Sequence, residues 1–192
     1  MTSDATKVHY CEGRYPVAFV FSVPGSHEVT SGEPVAGVTG ENLKYSLKHL
    51  HAKLPSVFPS IERYEYRITN AYSEPIAKSR GDKSSQASNS QVLEPDNVAR
   101  VFHELDGCSL VILCGVKAQL LAQAVLLSGR TVVCTWHTSN QALSSKFRSA
   151  EVSACEEPSG RRRLRAKLWA QELLNSIELP LTLPTGEKAL TA

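Results

Sequence analysis

Short runs of consecutive apolar residues constrain this chain most. Pro16-Val17-Ala18-Phe19-Val20-Phe21 and Leu110-Val111-Ile112-Leu113 contain no polar side chain, and Thr131-Val132-Val133-Cys134-Thr135 has threonine only at its ends. A strand with one wet face alternates apolar and polar residues. A run without alternation is buried on both faces, the condition of a parallel sheet covered by helices. Helical periodicity fills the intervals. Leu43, Leu47, Leu50 and Leu54 recur at spacings of one helix face, which Pro55 closes. Glu94-Pro95-Asp96 opens a second helix with proline in its first turn, turning Val98, Val101, Phe102 and Leu105 inward. An apolar helix follows Gly115, from Val116 to Leu127. A last one runs from about Gly160 to Ser176, with Leu164, Leu168 and Leu173-Leu174 on its apolar face. Tyr64-Glu65-Tyr66-Arg67-Ile68 reads as another strand, ending at Thr69-Asn70-Ala71. The predicted fold class is α/β, a three-layer α/β/α sandwich with a central, mainly parallel four-stranded sheet.

A length of 192 residues suits one domain. It is predicted to span 15–178, with a weakly patterned, flexible arm over 1–14, a long polar loop over 73–91 and a flexible tail over 179–192. The five cysteines form no C-x-x-C pair, so neither zinc nor an iron–sulfur cluster is expected, and no cofactor. Reduced thiols, and apolar runs well short of the roughly 18 residues of a membrane span, predict a cytoplasmic protein without a membrane or an obligate protein partner. The net charge of +2 does not by itself argue for nucleic acid. The local run Arg161-Arg162-Arg163-Leu164-Arg165 does, unless it is a solvated helix start.

In open α/β sheets, ligands bind at the carboxyl ends of the strands. Those ends carry Pro24-Gly25, Asn70-Ala71, Gly115 and His137. The four segments resemble, in order and spacing, the motifs of the uracil-DNA glycosylase superfamily, particularly its family 4 branch. Pro24-Gly25 through Gly40 looks like the first motif, Ile68-Thr69-Asn70-Ala71 the strand-borne Asn-Ala motif, Leu113-Cys114-Gly115-Val116-Lys117-Ala118 the strand–Gly–helix element, and Trp136-His137-Thr138-Ser139 the final His motif. The resemblance covers about residues 16 to 177. It implies a monofunctional DNA glycosylase of bacterial origin, acting by base flipping to leave an abasic site.

The resemblance assigns roles. His137 would donate to a pyrimidine carbonyl as negative charge builds on the departing base, and Glu28 would position water. Asn70 would read the base edge, with Pro24, Gly25 and Val35 walling the base. Ser139, Gln141, Leu143, Lys146, Arg148, Arg161, Arg162 and Arg163 would grip DNA, Leu143 serving as the apolar wedge that Gln141 cannot be. Each has a plainer reading: a strand-end His or Asn is often only a structural hydrogen-bonder.

The departures bear on substrate. Ser22 and Val23 stand where the family carries a polar or acidic residue, and Val35 where it stacks a phenylalanine on uracil. The family 4 iron–sulfur cysteines are absent. A widened pocket predicts a bulky modified pyrimidine such as glucosylated hydroxymethylcytosine in phage DNA, hence a role in antiviral defence. The alternatives are a conventional uracil-DNA glycosylase of base-excision repair, a catalytically inactive DNA-binding module of this fold, and a partner-binding scaffold with no DNA role.

Overall fold

The computed structural model describes residues 8–76, 81 and 84–178. Four parallel strands, β1 (Tyr15–Phe21), β2 (Tyr66–Asn70), β3 (Leu110–Cys114) and β4 (Thr131–Thr135), form one sheet in the order β2-β1-β3-β4. The continuous apolar runs are its two-sided core. Val17, Phe19 and Phe21 of β1 face one layer, Ala18 and Val20 the other.

The first layer holds α2 (Gly37–Lys53), α7 (Asn140–Lys146) and α9 (Pro158–Glu178), which supply Leu43, Leu47, Leu50, Leu143, Trp169 and Leu173 to that core. The opposite layer holds α3 (Asn89–Val92), α4 (Pro95–Glu104), α5 (Val116–Gln119) and α6 (Ala122–Leu127), with Val92, Val101, Ala118 and Val125 turned inward. The three-layer α/β/α sandwich expected from the sequence is present. Gly40 lies inside α2, at about 1 kcal/mol against helix formation. The fully buried Leu43, Leu47 and Leu50 outweigh that, each at about 1.5–3 kcal/mol. Gly40 is required: a β-carbon there would lie 1.9 Å from the Val35 carbonyl oxygen.

From β1 the chain enters α2 on the first layer, and from the adjacent β3 it enters α5 on the second. The crevice between their carboxyl ends is therefore the point where the connections reverse, the usual ligand position in such sheets. α2 and α9 run in parallel, because Arg162 lies over Tyr45 and the Ala166 carbonyl accepts from Ser46. Ile177 reaches the opposite end, beside Tyr15, Leu110 and Thr131. The arginine-bearing start of α9 is thus on the crevice end of the molecule.

Several expectations are corrected. The stretch after residue 7 is docked rather than loose. Cys11 exchanges two backbone hydrogen bonds of 2.9 Å with Ile68, and His9 Nε2 lies 2.8 Å from Glu104. The reason is that β2 is an edge strand whose free N–H and C=O groups need partners. Strand β2 starts at Tyr66, after a 3₁₀ turn at Arg63–Glu65. The helix expected from Val116 to Leu127 is broken between α5 and α6. The sequence also did not mark α1 (Ser26–Ser31), α7 or α8 (Ala150–Ala154). The 73–91 loop packs at both ends, with Ile76 N–H on the Pro24 carbonyl and Ala87 only 1% exposed. Residues 1–7 of the expected arm, 77–80 and 82–83 of the loop, and the 179–192 tail lie outside the described residues. No helix among the described residues is long and apolar enough to cross a membrane.

Candidate active site

A cleft of about 940 Å³ opens at the carboxyl ends of β1, β3 and β4. Its walls come from the turn after β1 (Ser22, Gly25, Glu28), the starts of α2 and α5, and the 136–145 segment. Ile76, Ser85 and Gln86 bring the ends of the polar loop to it. Among the described residues its lining contains the carboxylates of Glu28 and Glu172 but no lysine or arginine.

His137 enters this cleft from the segment after β4. Its ring packs edge-on against Phe21, with centroids 5.4 Å apart. The Ser139 backbone N–H donates to His137 Nδ1 at 3.0 Å. Nδ1 is then the acceptor nitrogen, and in the neutral ring the hydrogen sits on Nε2. Loss of water around the ring pushes its pKa down to about 4. The side chain is a neutral N–H donor at physiological pH. Gly115 makes the close approach possible: its φ is +91°, and a β-carbon there would meet that of His137 at 3.0 Å.

The low pKa fixes the sign of a stability effect. The unfolded imidazole takes up a proton near pH 6.5, the folded one only near 4. The contribution is complete above pH 6.5 and is lost as pH falls toward 4, a loss of roughly 2–3 kcal/mol. Urea unfolding of wild type and His137→Gln at pH 7 and 4.5 should show wild type losing that much more than the variant. Equal losses would contradict the burial of a neutral ring.

Glu28 also lines the cleft, and one carboxylate oxygen accepts the Gly25 N–H at 2.9 Å, capping α1. This fixes the carboxylate beside the Pro24-Gly25 turn. Asn70 ends β2 opposite Phe21. It is 2% exposed, and its Oδ1 is buried without a hydrogen-bond partner among the described residues. Its carbonyl accepts from Arg100 at 2.9 Å. Asn70 and Pro24 do not themselves line the cleft; Gly25, Ser139 and Gln141 do.

Val35 and Leu143 also depart from their expected places. Val35 is 3% exposed within the first-layer core and does not line the cleft; its φ of +52° turns its side chain into packing. The room in the cleft therefore does not come from Val35. Leu143 is fully buried against the same core, so it cannot project as a wedge. Helical spacing points it inward from a segment the sequence did not mark as helix.

The basic residues are dispersed. Lys146 borders the cleft, 5.0 Å from the Trp136 ring centroid and 3.7 Å from a Glu172 oxygen. Arg148 bonds the Ser144 carbonyl on the exposed side of α7. Consecutive helical positions fan around the axis, so the arginine run forms no single face. Arg162 lies over Tyr45, Arg163 pairs with Glu157, and Arg165 reaches Ser144. Arg161 is half-buried near the same helix start.

No protein-family model matches the chain, and no curated protein does. Among the described residues, no group of three or more His, Cys, Asp or Glu side chains is placed to hold a metal ion. Sequence reasoning passed over Glu172, Gln119 and Asn42. Asn42 left a signal: with Ser46 it forms a polar pair four residues apart beside the leucine stripe of α2.

Proposed function

We propose that this protein is a DNA glycosylase that hydrolyses the N-glycosidic bond of a flipped-out pyrimidine, leaving an abasic site. The observation that carries the reading is His137: a neutral, partly buried N–H donor at a strand end, inside a cleft at the reversal point of the sheet. As the bond from the sugar carbon to the base breaks, its electron pair moves onto the base and charge collects on the carbonyl oxygens. A fixed Nε2–H aimed there stabilises that charge without giving up a full proton. The sugar becomes cationic and water adds to it with loss of a proton. Glu28, held by Gly25, supports water positioning, and its carboxylate favours the sugar cation.

The substrate in this reading is a bulky modified pyrimidine, with glucosylated hydroxymethylcytosine of phage DNA the leading candidate and antiviral defence the role. The cleft sits near the top of the roughly 300–1,000 Å³ typical of small-molecule sites, far more than one pyrimidine ring fills. Its uncharged Ser22, Ser85, Gln86 and Gln119 suit a neutral hydroxyl-bearing appendage. DNA phosphates would contact the rim, where Lys146, Arg148 and the start of α9 lie.

Incubation with uracil-containing DNA and, separately, with glucosylated phage DNA, followed by alkaline cleavage of abasic sites, tests the substrate. Cleavage of the phage DNA alone is expected. Strong excision of uracil with phage DNA untouched would replace this substrate with the conventional repair reaction.

A further inference from the structure

We infer that Asn42, acting with Trp169, is a positioning residue that fixes the Trp136–His137 and Thr138–Ser139 peptide units and thereby the direction of the His137 Nε2–H. The inference rests on the reading of His137 as the donor to the departing base. The carbonyl preceding His137, that of Trp136, accepts from Trp169 Nε1 at 2.7 Å. The carbonyl of Thr138, in the same peptide unit as the Ser139 N–H, accepts from Asn42 Nδ2 at 2.8 Å. Thr138 returns a bond from its hydroxyl to the Thr39 carbonyl at 3.1 Å. The segment bearing the imidazole is therefore held from α9 on one side and from the start of α2 on the other. Only then can the Ser139 N–H meet Nδ1 and assign the ring hydrogen to Nε2.

Asn42 is built for this task at a cost to the fold. It is fully buried, and while its amide nitrogen serves Thr138, its Oδ1 has no hydrogen-bond partner among the described residues. A buried acceptor left unpaired is destabilising, and an apolar side chain of similar shape would avoid it. Ser46 strengthens the arrangement, its hydroxyl bridging the Asn42 and Ala166 carbonyls at 3.0 and 2.9 Å, which ties α2 to α9 one turn below the clamp. Asn42 thus leaves one oxygen unpaired while its amide nitrogen holds a carbonyl 96 residues away in the chain.

Asn42→Leu tests this in the full-length protein, with two readouts. Nitrogen-15 NMR of the free protein reports the His137 tautomer without any DNA, so it is independent of whether the protein is a glycosylase. Wild type should show the Nε2–H form and Asn42→Leu a mixture of both tautomers. On a cleavable substrate, kcat should fall on the order of 10- to 100-fold, the scale of a misplaced catalytic group, while KM stays within about twofold and the melting temperature changes little. Where the leucine variant does not fold, Asn42→Ser, too short to reach Thr138, is read the same way. A pure Nε2–H signal in the folded variant, or a loss of stability with kcat unchanged, would overturn the assignment. A tautomer change in a protein that excises no base would support the clamp while removing the proposed chemistry.

Discussion

Replacing His137 with alanine is expected to lower the rate of base excision by about 10²–10³-fold, the usual cost of removing one preorganised donor from a developing anion. The geometry argues for the upper part of that range. The donor is neutral at physiological pH because burial pushes its pKa down to about 4. Its direction is set by the Ser139 bond to Nδ1 and by the edge-on contact with Phe21. Water admitted into the truncated site can replace the hydrogen bond but not its fixed orientation. Affinity for DNA, which depends chiefly on phosphate contacts and on salt, should change little. Single-turnover excision and binding by fluorescence anisotropy separate the two quantities. A rate within threefold of wild type would remove His137 from the mechanism, and an unchanged phenotype would favour an inactive DNA-binding module.

Glu104→Ala is expected to destabilise the fold by about 3–5 kcal/mol, the scale of a buried ion pair broken on one side. Glu104 is 4% exposed and holds the carboxyl end of β2. One oxygen lies 2.8 Å from His9, the other 2.5 Å from the Thr69 hydroxyl and in contact with Arg100. Burial by itself would raise its pKa, but the bonds from His9 and Thr69 and the charge of Arg100 outweigh it and hold the carboxyl below its ordinary value. Arg100 in turn bonds the carbonyl of Asn70, and Asn97 bonds that of Ala71 at 2.7 Å. Without Glu104, Arg100 is left as an unpaired, largely buried cation directly behind the Asn70 peptide. The double variant Glu104→Ala, Arg100→Met should therefore lose less than the sum of the two single changes. Urea unfolding at pH 7 measures all three proteins. A loss below about 1 kcal/mol for Glu104→Ala would mean that the network is peripheral to stability.

The fold was legible because its strands are buried on both faces. Runs such as Leu110–Leu113 admit few other arrangements, and their turn residues marked the carboxyl ends where the cleft opens. Strand order placed Gly25, Gly115 and His137 at that cleft, and the family resemblance added Glu28, Ser139 and Gln141. Tertiary packing decided the rest. Leu143 and Val35 have the composition of site residues, but helix α7 and a left-handed turn direct their side chains into the core. The arginine run looked like a single patch in one dimension and is spread around a helix in three. The clamp on His137 joins residues 42, 138 and 169, which no local pattern connects. The docking of Cys11 on Ile68 likewise answers a need of the sheet edge that residues 8–14 do not themselves announce.

The most direct test of the account is the product itself. Duplex and single-stranded DNA carrying the glucosylated hydroxymethylcytosine base should be incubated with the wild-type protein and with His137→Ala, and the small-molecule fraction analysed by mass spectrometry. Free modified base should be released in step with alkali-labile abasic sites by wild type, and at least about 100-fold less by the variant. Binding of that DNA without release of any base, modified or uracil, by the wild-type protein would contradict the proposed function.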